Sequence, residues 1–184
     1  MALSKIDIEN MVTGELTTTN GGTGATSFSP GISMASQWRL NSTFTGDAKP
    51  ITSNWELNDT TGYASLGRNM TQSSGVFTFP STGIYLVRFT AGCRAYSGNS
   101  ETQFEVHIQV TTNNSDYASV AESHACGSGS NSDTSTVAET LIDVTSTSNV
   151  KVRVGVNCAA SNSMTLAGSA KNDNSLTFLR IGDT

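Results

Sequence analysis

Few residues in the chain are of a type and spacing suited to chemistry. His107 stands between Glu105 and Gln109 in the run FEVHIQV, and His124 is the other histidine. A histidine beside a carboxylate can move a proton, and a serine in reach would complete a triad assembled in space. Serines are abundant, and no spacing selects one of them. Glu101 and Glu105 are four residues apart, roughly 13 Å in an extended strand. That exceeds the separation of paired glycosidase carboxylates, so both read as surface acids. Asn172, Asp173 and Asn174 offer oxygens to calcium but lack the spaced carboxylates of a strong site, and read as a solvated turn. Cys93, Cys126 and Cys158 are an odd set without C-x-x-C spacing; they read as buried thiols, with one disulfide as the alternative. No G-x-S-x-G, H-E-x-x-H, phosphate-loop or G-x-G-x-x-G motif occurs. The expectation is no catalysis, no cofactor and no metal, with His107 a solvated or interfacial side chain.

The elements that would position these residues have a period of two. Met34, Ser36, Trp38 and Leu40 share one face; Ala35, Gln37 and Arg39 share the other. Ile51, Ser53, Trp55 and Leu57 repeat the pattern. Phe104, Val106, Ile108 and Val110 alternate with Glu105, His107 and Gln109, and Val150, Val152, Val154 and Val156 with Lys151, Arg153 and Gly155. Such alternation predicts strands with one buried face and one wet face. Weaker strands are expected from Tyr117, Val137, Met164 and Leu176. Turn-rich clusters such as SGNS, TTNNSD, GSGSNSD and KNDNS separate them. No segment keeps an apolar 3.6 period for a dozen residues. The fold class is all-β, an antiparallel sandwich of about ten strands. Trp38 and Trp55 fall in phase with the core, whereas Tyr63, Tyr96 and Tyr117 are the aromatics near loops.

Residues 74–89, SGVFTFPSTGIYLVRF, break the pattern. Phe77 and Phe79 alternate with Val76 and Thr78, but Ile84, Tyr85, Leu86 and Val87 are apolar without interruption. Read as a hairpin about Pro80–Gly83, the second strand has one apolar face too many for a lone sandwich. Either a symmetric copy or a loop of the same chain covers the surplus face.

Composition narrows the partners. Charged residues are 14% of the chain, the net charge is −5, and Lys and Arg are scattered singly. Phosphate binding needs concentrated positive charge, so nucleic acid is not an expected partner. No apolar run approaches the length of about 18 residues that spans a bilayer, and membrane insertion is not expected. The start, MALSKIDIEN, does not read as a secretion signal. Residues 1–33 contain TGELTTTNGGTGATSFSPG, dense in Gly and Thr, after Leu3, Ile6, Ile8, Met11 and Val12. They read as an extended arm and linker, with 34–184 as the folded domain.

The order GVFTFPSTGIYLVRF resembles the signature of C1q/TNF-like domains: Gly, aromatic, Pro-x-x-Gly turn, then a Tyr-bearing apolar strand. YASLGRNMTQSS upstream and SLTFLRIGD at the end resemble the flanking segments of that family, so the likeness spans about residues 34–184. It implies a ten-strand jelly roll that assembles as a homotrimer. Ile84, Tyr85, Leu86, Phe89, Phe178 and Leu179 then become interface or core residues, with the division between faces left open. NGGTGATSF resembles the Gly-Thr-rich linkers before C-terminal knobs of phage tail and head fibres. The secretion signal and collagen-like stalk of animal members are not seen. The functional expectation is a virion structural protein: a head-fibre, tail-fibre or decoration knob at the virion surface, displayed for host adhesion. Leu3, Ile6, Ile8, Met11 and Val12 would anchor it to capsid or tail proteins. The alternative is a carbohydrate-binding adhesion module, of a bacterium or a virion, that recognises a cell-surface polysaccharide through its loops and would use exposed loop aromatics. A hydrolase is the third reading and would need a serine hydrogen-bonded to His107 or His124.

Overall fold

The computed structural model describes residues 31–95, 102–127, 129 and 131–184; the expectations for the arm residues Leu3 to Val12, for Tyr96 and for Glu101 lie outside them. Residues Ile32–Thr184 make one compact unit. Its strands are β1 (Met34–Leu40), β2 (Phe44–Thr45), β3 (Trp55–Leu57), β4 (Thr71–Ser73), β5 (Val76–Thr78), β6 (Gly83–Arg94), β7 (Phe104–Thr111), β8 (Ala118–Ala125), β9 (Asp133–Val144), β10 (Lys151–Cys158), β11 (Met164–Thr165) and β12 (Ser175–Gly182). Among the described residues the expected count of about ten rises to twelve because β2 and β4, of two and three residues, are too short to show an alternation in sequence.

All pairings are antiparallel, in two sheets. The seven-stranded sheet runs β2-β11-β6-β12-β1-β3, with β9 on the other edge of β6; the five-stranded sheet runs β4-β5-β10-β7-β8. The first long strand therefore lies beside the last, Met34 opposite Arg180 and Trp38 opposite Leu176. The alternation in sequence sends one set of side chains between the sheets. From one sheet come Met34, Leu40, Tyr85, Val87, Phe89, Leu176 and Phe178, and from the other Phe77, Val106, Ile108, Val152, Val154 and Val156, all buried. Trp38 and Trp55 meet Phe77 edge-on at ring distances of 5.5 and 5.2 Å. Phe79 packs on Tyr85 at 4.7 Å. Such tilted contacts suit the ring quadrupoles, and each ring of this size removes a large apolar area from water.

Two expectations are corrected here. The runs around Pro80 are not a hairpin. β5 pairs with β4 and β10, whereas β6 pairs with β9 and β12, so Pro80–Gly83 carries the chain from one sheet to the other. The tight hairpin instead joins β4 to β5 through Ser74-Gly75, both at positive φ (49° and 76°). A Cβ on Gly75 would lie 2.0 Å from the Ile51 carbonyl oxygen, so only glycine fits that turn. Nor do residues 51–57 form one strand. Asn54 has φ 66° and breaks it. Before the break the Ile51 amide donates to the Val154 carbonyl of the five-stranded sheet (2.9 Å); after it Trp55 faces Leu40 in the seven-stranded sheet.

Candidate functional site

Register places four apolar side chains in line across the outer face of the seven-stranded sheet. Leu141 of β9 faces Leu86 of β6, Leu86 faces Leu179 of β12, and Leu179 faces Ala35 of β1. Ala35 then bridges to Leu66. Cross-strand neighbours on one face lie about 5 Å apart, so the five side chains form a continuous row. Its ends are the most open, with Leu141 60% and Leu66 48% exposed. The next row is polar: Glu139, Arg88, Thr177 and Gln37. Arg88 Nε lies 3.9 Å from Glu139 Oε2 and both side chains are about half exposed, a pair that adds little to stability. Gln37 donates to the Thr177 hydroxyl at 2.8 Å. Between the rows is a depression of about 350 Å³ lined by Leu86, Leu179, Arg88, Glu139, Thr177 and Gln37 among others.

The surplus apolar face of residues 84–87 is therefore assigned. Tyr85 and Phe89, with Phe178 on the neighbouring strand, are core residues of the single chain, wholly buried. The Tyr85 hydroxyl donates to the Ser81 carbonyl at 3.0 Å. Ile84, Leu86 and Leu179 point outward and are half-buried. Leu141, Leu66 and Ala35 complete the row and were not singled out in sequence. The signal for Leu141 was present: it is an apolar residue in the phase of Glu139 and Asp143, which is otherwise mostly polar.

His107 corrects an expectation. It lies on the outer face of the five-stranded sheet but is only 2% exposed. The segment Ala48–Ile51 runs along the free upper part of β10, with Ala48 and Val156 exchanging backbone hydrogen bonds (3.0 and 2.8 Å). This brings Lys49 across Gly155, where a Cβ would meet Lys49 Cα at 2.8 Å and the Ala48 carbonyl oxygen at 2.9 Å. Lys49 Nζ ends 3.1 Å from His107 Nδ1. Glu122 Oε1 of β8 is 3.0 Å from Nδ1, and Glu105 Oε2 is 3.2 Å from Nε2. Glu105 also faces His124 Nδ1 at 3.5 Å and accepts from Asn157 at 3.0 Å. The Asn157 hydrogen bond holds the Glu105 carboxyl below the usual carboxylate range, helped by the two histidines. The hydrogen bond with His107 does the same for Glu122, helped by Lys49. The partners of His107 among the described residues are thus Lys49, Glu105 and Glu122, none of them a serine.

The remaining candidates have structural neighbours. Asn174 is buried, accepts from the Gly92 amide at 2.6 Å and donates to the Leu166 carbonyl; Asn172 donates to Gln37 at 2.9 Å. Among the described residues no group of three His, Cys, Asp or Glu side chains is placed to hold a metal ion. Cys93 and Cys158 are buried as expected, but Cys126 is exposed. Tyr63 accepts from the Gln37 amide at 3.1 Å, and the Tyr117 ring lies 3.9 Å beneath the Arg153 guanidinium. Arg39 is buried on the outer face of β1 and paired with Glu56 and Asp59.

No protein-family model matches the sequence, and a comparison with curated proteins finds no relative. Solved structures do resemble the fold. A crystal structure of murine APRIL at pH 5.0 aligns with a TM-score of 0.56 at 9% identity, covering 80% of this chain and 98% of that one. The structure of Eiger TNF from S. frugiperda aligns with a TM-score of 0.56 at 14% identity, covering 84% and 96%. At such identities the likeness concerns the fold and not the activity. Two antiparallel sheets in this strand order, matched over nearly the whole of those chains, make the described domain a TNF-like jelly roll.

Proposed function

We propose that the chain is a non-catalytic virion structural protein, a trimeric knob of a head fibre, tail fibre or decoration protein. Residues 1–33 anchor it to capsid or tail proteins, and the knob is displayed for adhesion to the host surface, with surface glycans as the class of receptor. The observation that carries this reading is the apolar row from Leu141 to Leu66 on an outer sheet face. A monomer gains nothing from such a row in water, whereas a symmetric copy buries it without a second gene product. Homotrimeric assembly is also what the C1q/TNF resemblance implies. The particle context rests on the likeness of the Gly/Thr-rich arm to phage fibre linkers.

The test has two parts. Sedimentation of the purified chain should give three times the monomer mass; a monomer at tens of micromolar would overturn the assembly. Deletion of residues 1–33 should leave a folded trimer that no longer co-purifies with particles. Normal incorporation of the truncated chain would refute the anchoring role.

A further inference from the structure

We infer that Lys49, His107, Glu105 and Glu122 form a proton-operated latch that holds the strap Ala48–Ile51 on the five-stranded sheet and lets it go when the His107 ring takes up a second proton. The inference does not depend on the trimeric knob reading, since all four residues lie on the face away from the apolar row.

His107 is enclosed by charged groups from three elements. The strap supplies Lys49 Nζ, 3.1 Å from Nδ1. Strand β7 supplies Glu105, 3.2 Å from Nε2. Strand β8 supplies Glu122, 3.0 Å from Nδ1, and His124, which faces Glu105 rather than His107. Strand β10 presents only Gly155 opposite the ring, with Asn157 one position further bonded to Glu105.

Lys49 Nζ also lies 3.4 Å from Nε2, so at each ring nitrogen the ammonium competes with a carboxylate, Glu122 at Nδ1 and Glu105 at Nε2. A neutral ring protonated at Nε2 donates to Glu105 and accepts from Lys49 through the Nδ1 lone pair. A ring carrying both protons donates to Glu105 and Glu122 together. It then offers Lys49 no acceptor and places a like charge beside the ammonium. With either neutral tautomer, the second proton takes the hold of His107 off the strap and gives both ring nitrogens to the carboxylates of β7 and β8. Lys49 is the side-chain anchor of a strap that otherwise depends on backbone bonds to Val154 and Val156. Its release would expose the Val154 carbonyl and both backbone groups of Val156 as a pairing edge.

The experiment is hydrogen exchange by NMR on the full chain between pH 8 and 5. Protection factors, already corrected for the intrinsic pH dependence of exchange, are followed together with the His107 ring resonances. Protection at the Ala48, Ile51 and Val156 amides should fall roughly fivefold, the worth of one hydrogen bond, in step with the His107 titration. Protection at Val106 and Val152 should not change. His107→Gln should remove the pH dependence, His124→Gln should keep it, and Lys49→Met should hold the strap at the acid level throughout. The latch is overturned if His107 titrates and strap protection stays constant. It is equally overturned if His107→Gln retains the wild-type pH dependence, or if Val106 and Val152 lose protection together with the strap.

Discussion

Leu141 offers the sharpest perturbation of the apolar row, because the single chain scarcely uses it. The side chain is 60% exposed at the outer edge of β9. Full burial of a leucine contributes about 1.5–3 kcal/mol, so the exposed part leaves about 1–2 kcal/mol per copy for association to gain. Three copies give about 3–5 kcal/mol per trimer, or roughly two to four orders of magnitude in the trimer dissociation constant. Leu141→Ala should therefore shift the monomer–trimer equilibrium by that amount, and Leu141→Lys should abolish the trimer. Sedimentation velocity over a concentration series measures the shift. Urea unfolding under monomeric conditions checks that the fold itself moves by less than about 0.5 kcal/mol, as exposed substitutions do. A Leu141→Ala trimer as tight as the parent would refute the placement of this row in the interface. A large loss of monomer stability would mean that Leu141 belongs to the fold instead. Leu86→Lys is less clean, since Leu86 is already half-buried in one chain.

Two further outcomes follow from the five-stranded sheet. Gly155→Ala should destabilise the domain by about 1–3 kcal/mol, read by urea unfolding, because the new methyl group meets backbone atoms of the strap that cannot swing aside. The carboxyls of Glu105 and Glu122 are both lowered in the folded chain. Their contribution to stability is therefore complete above the ordinary carboxylate range and is lost as pH falls through their lowered folded values. Melting temperature should drop as pH falls below about 4.5, and Glu105→Gln with Glu122→Gln should flatten that slope; an unchanged slope would refute the assignment.

The alternation in FEVHIQV and VKVRVGV was enough to place β7 and β10, because burial of one sheet face dictates it directly. The same logic exposed the surplus face of residues 84–87, although only the register could decide that Tyr85 goes inward and Leu86 outward. β9 begins at Asp133 rather than Val137, since its first four residues, Asp, Thr, Ser and Thr, are polar on both faces and leave no hydrophobic signal. The burial of His107 was illegible for a different reason. Its cover, Lys49, is 58 residues away in sequence and reaches it only because position 155 has no side chain. Likewise the break at Asn54 is a backbone conformation, invisible to a pattern that matched Ile51, Ser53, Trp55 and Leu57. The pairings of His107 with Glu122 and of Leu141 with Leu86 depend on which strands lie side by side, and local sequence carries little of that information.

The position of β12 has a consequence for biosynthesis. Residues 175–182 follow every other strand of the described fold, yet they occupy the middle of the seven-stranded sheet, between β6 and β1. Until they emerge from the ribosome, β1 and β6 are held apart by a missing strand, a gap of about 10 Å at the usual strand spacing. Neither can complete its ladder, and Phe178 is absent from its place against Phe77 and Phe79. The sheet must close after synthesis of β12 and not during it, with the contacts most distant in sequence forming late. A chain cut short before Ser175 would expose two unpaired strand edges and an open core, and so would be a substrate for proteases and a seed for aggregation.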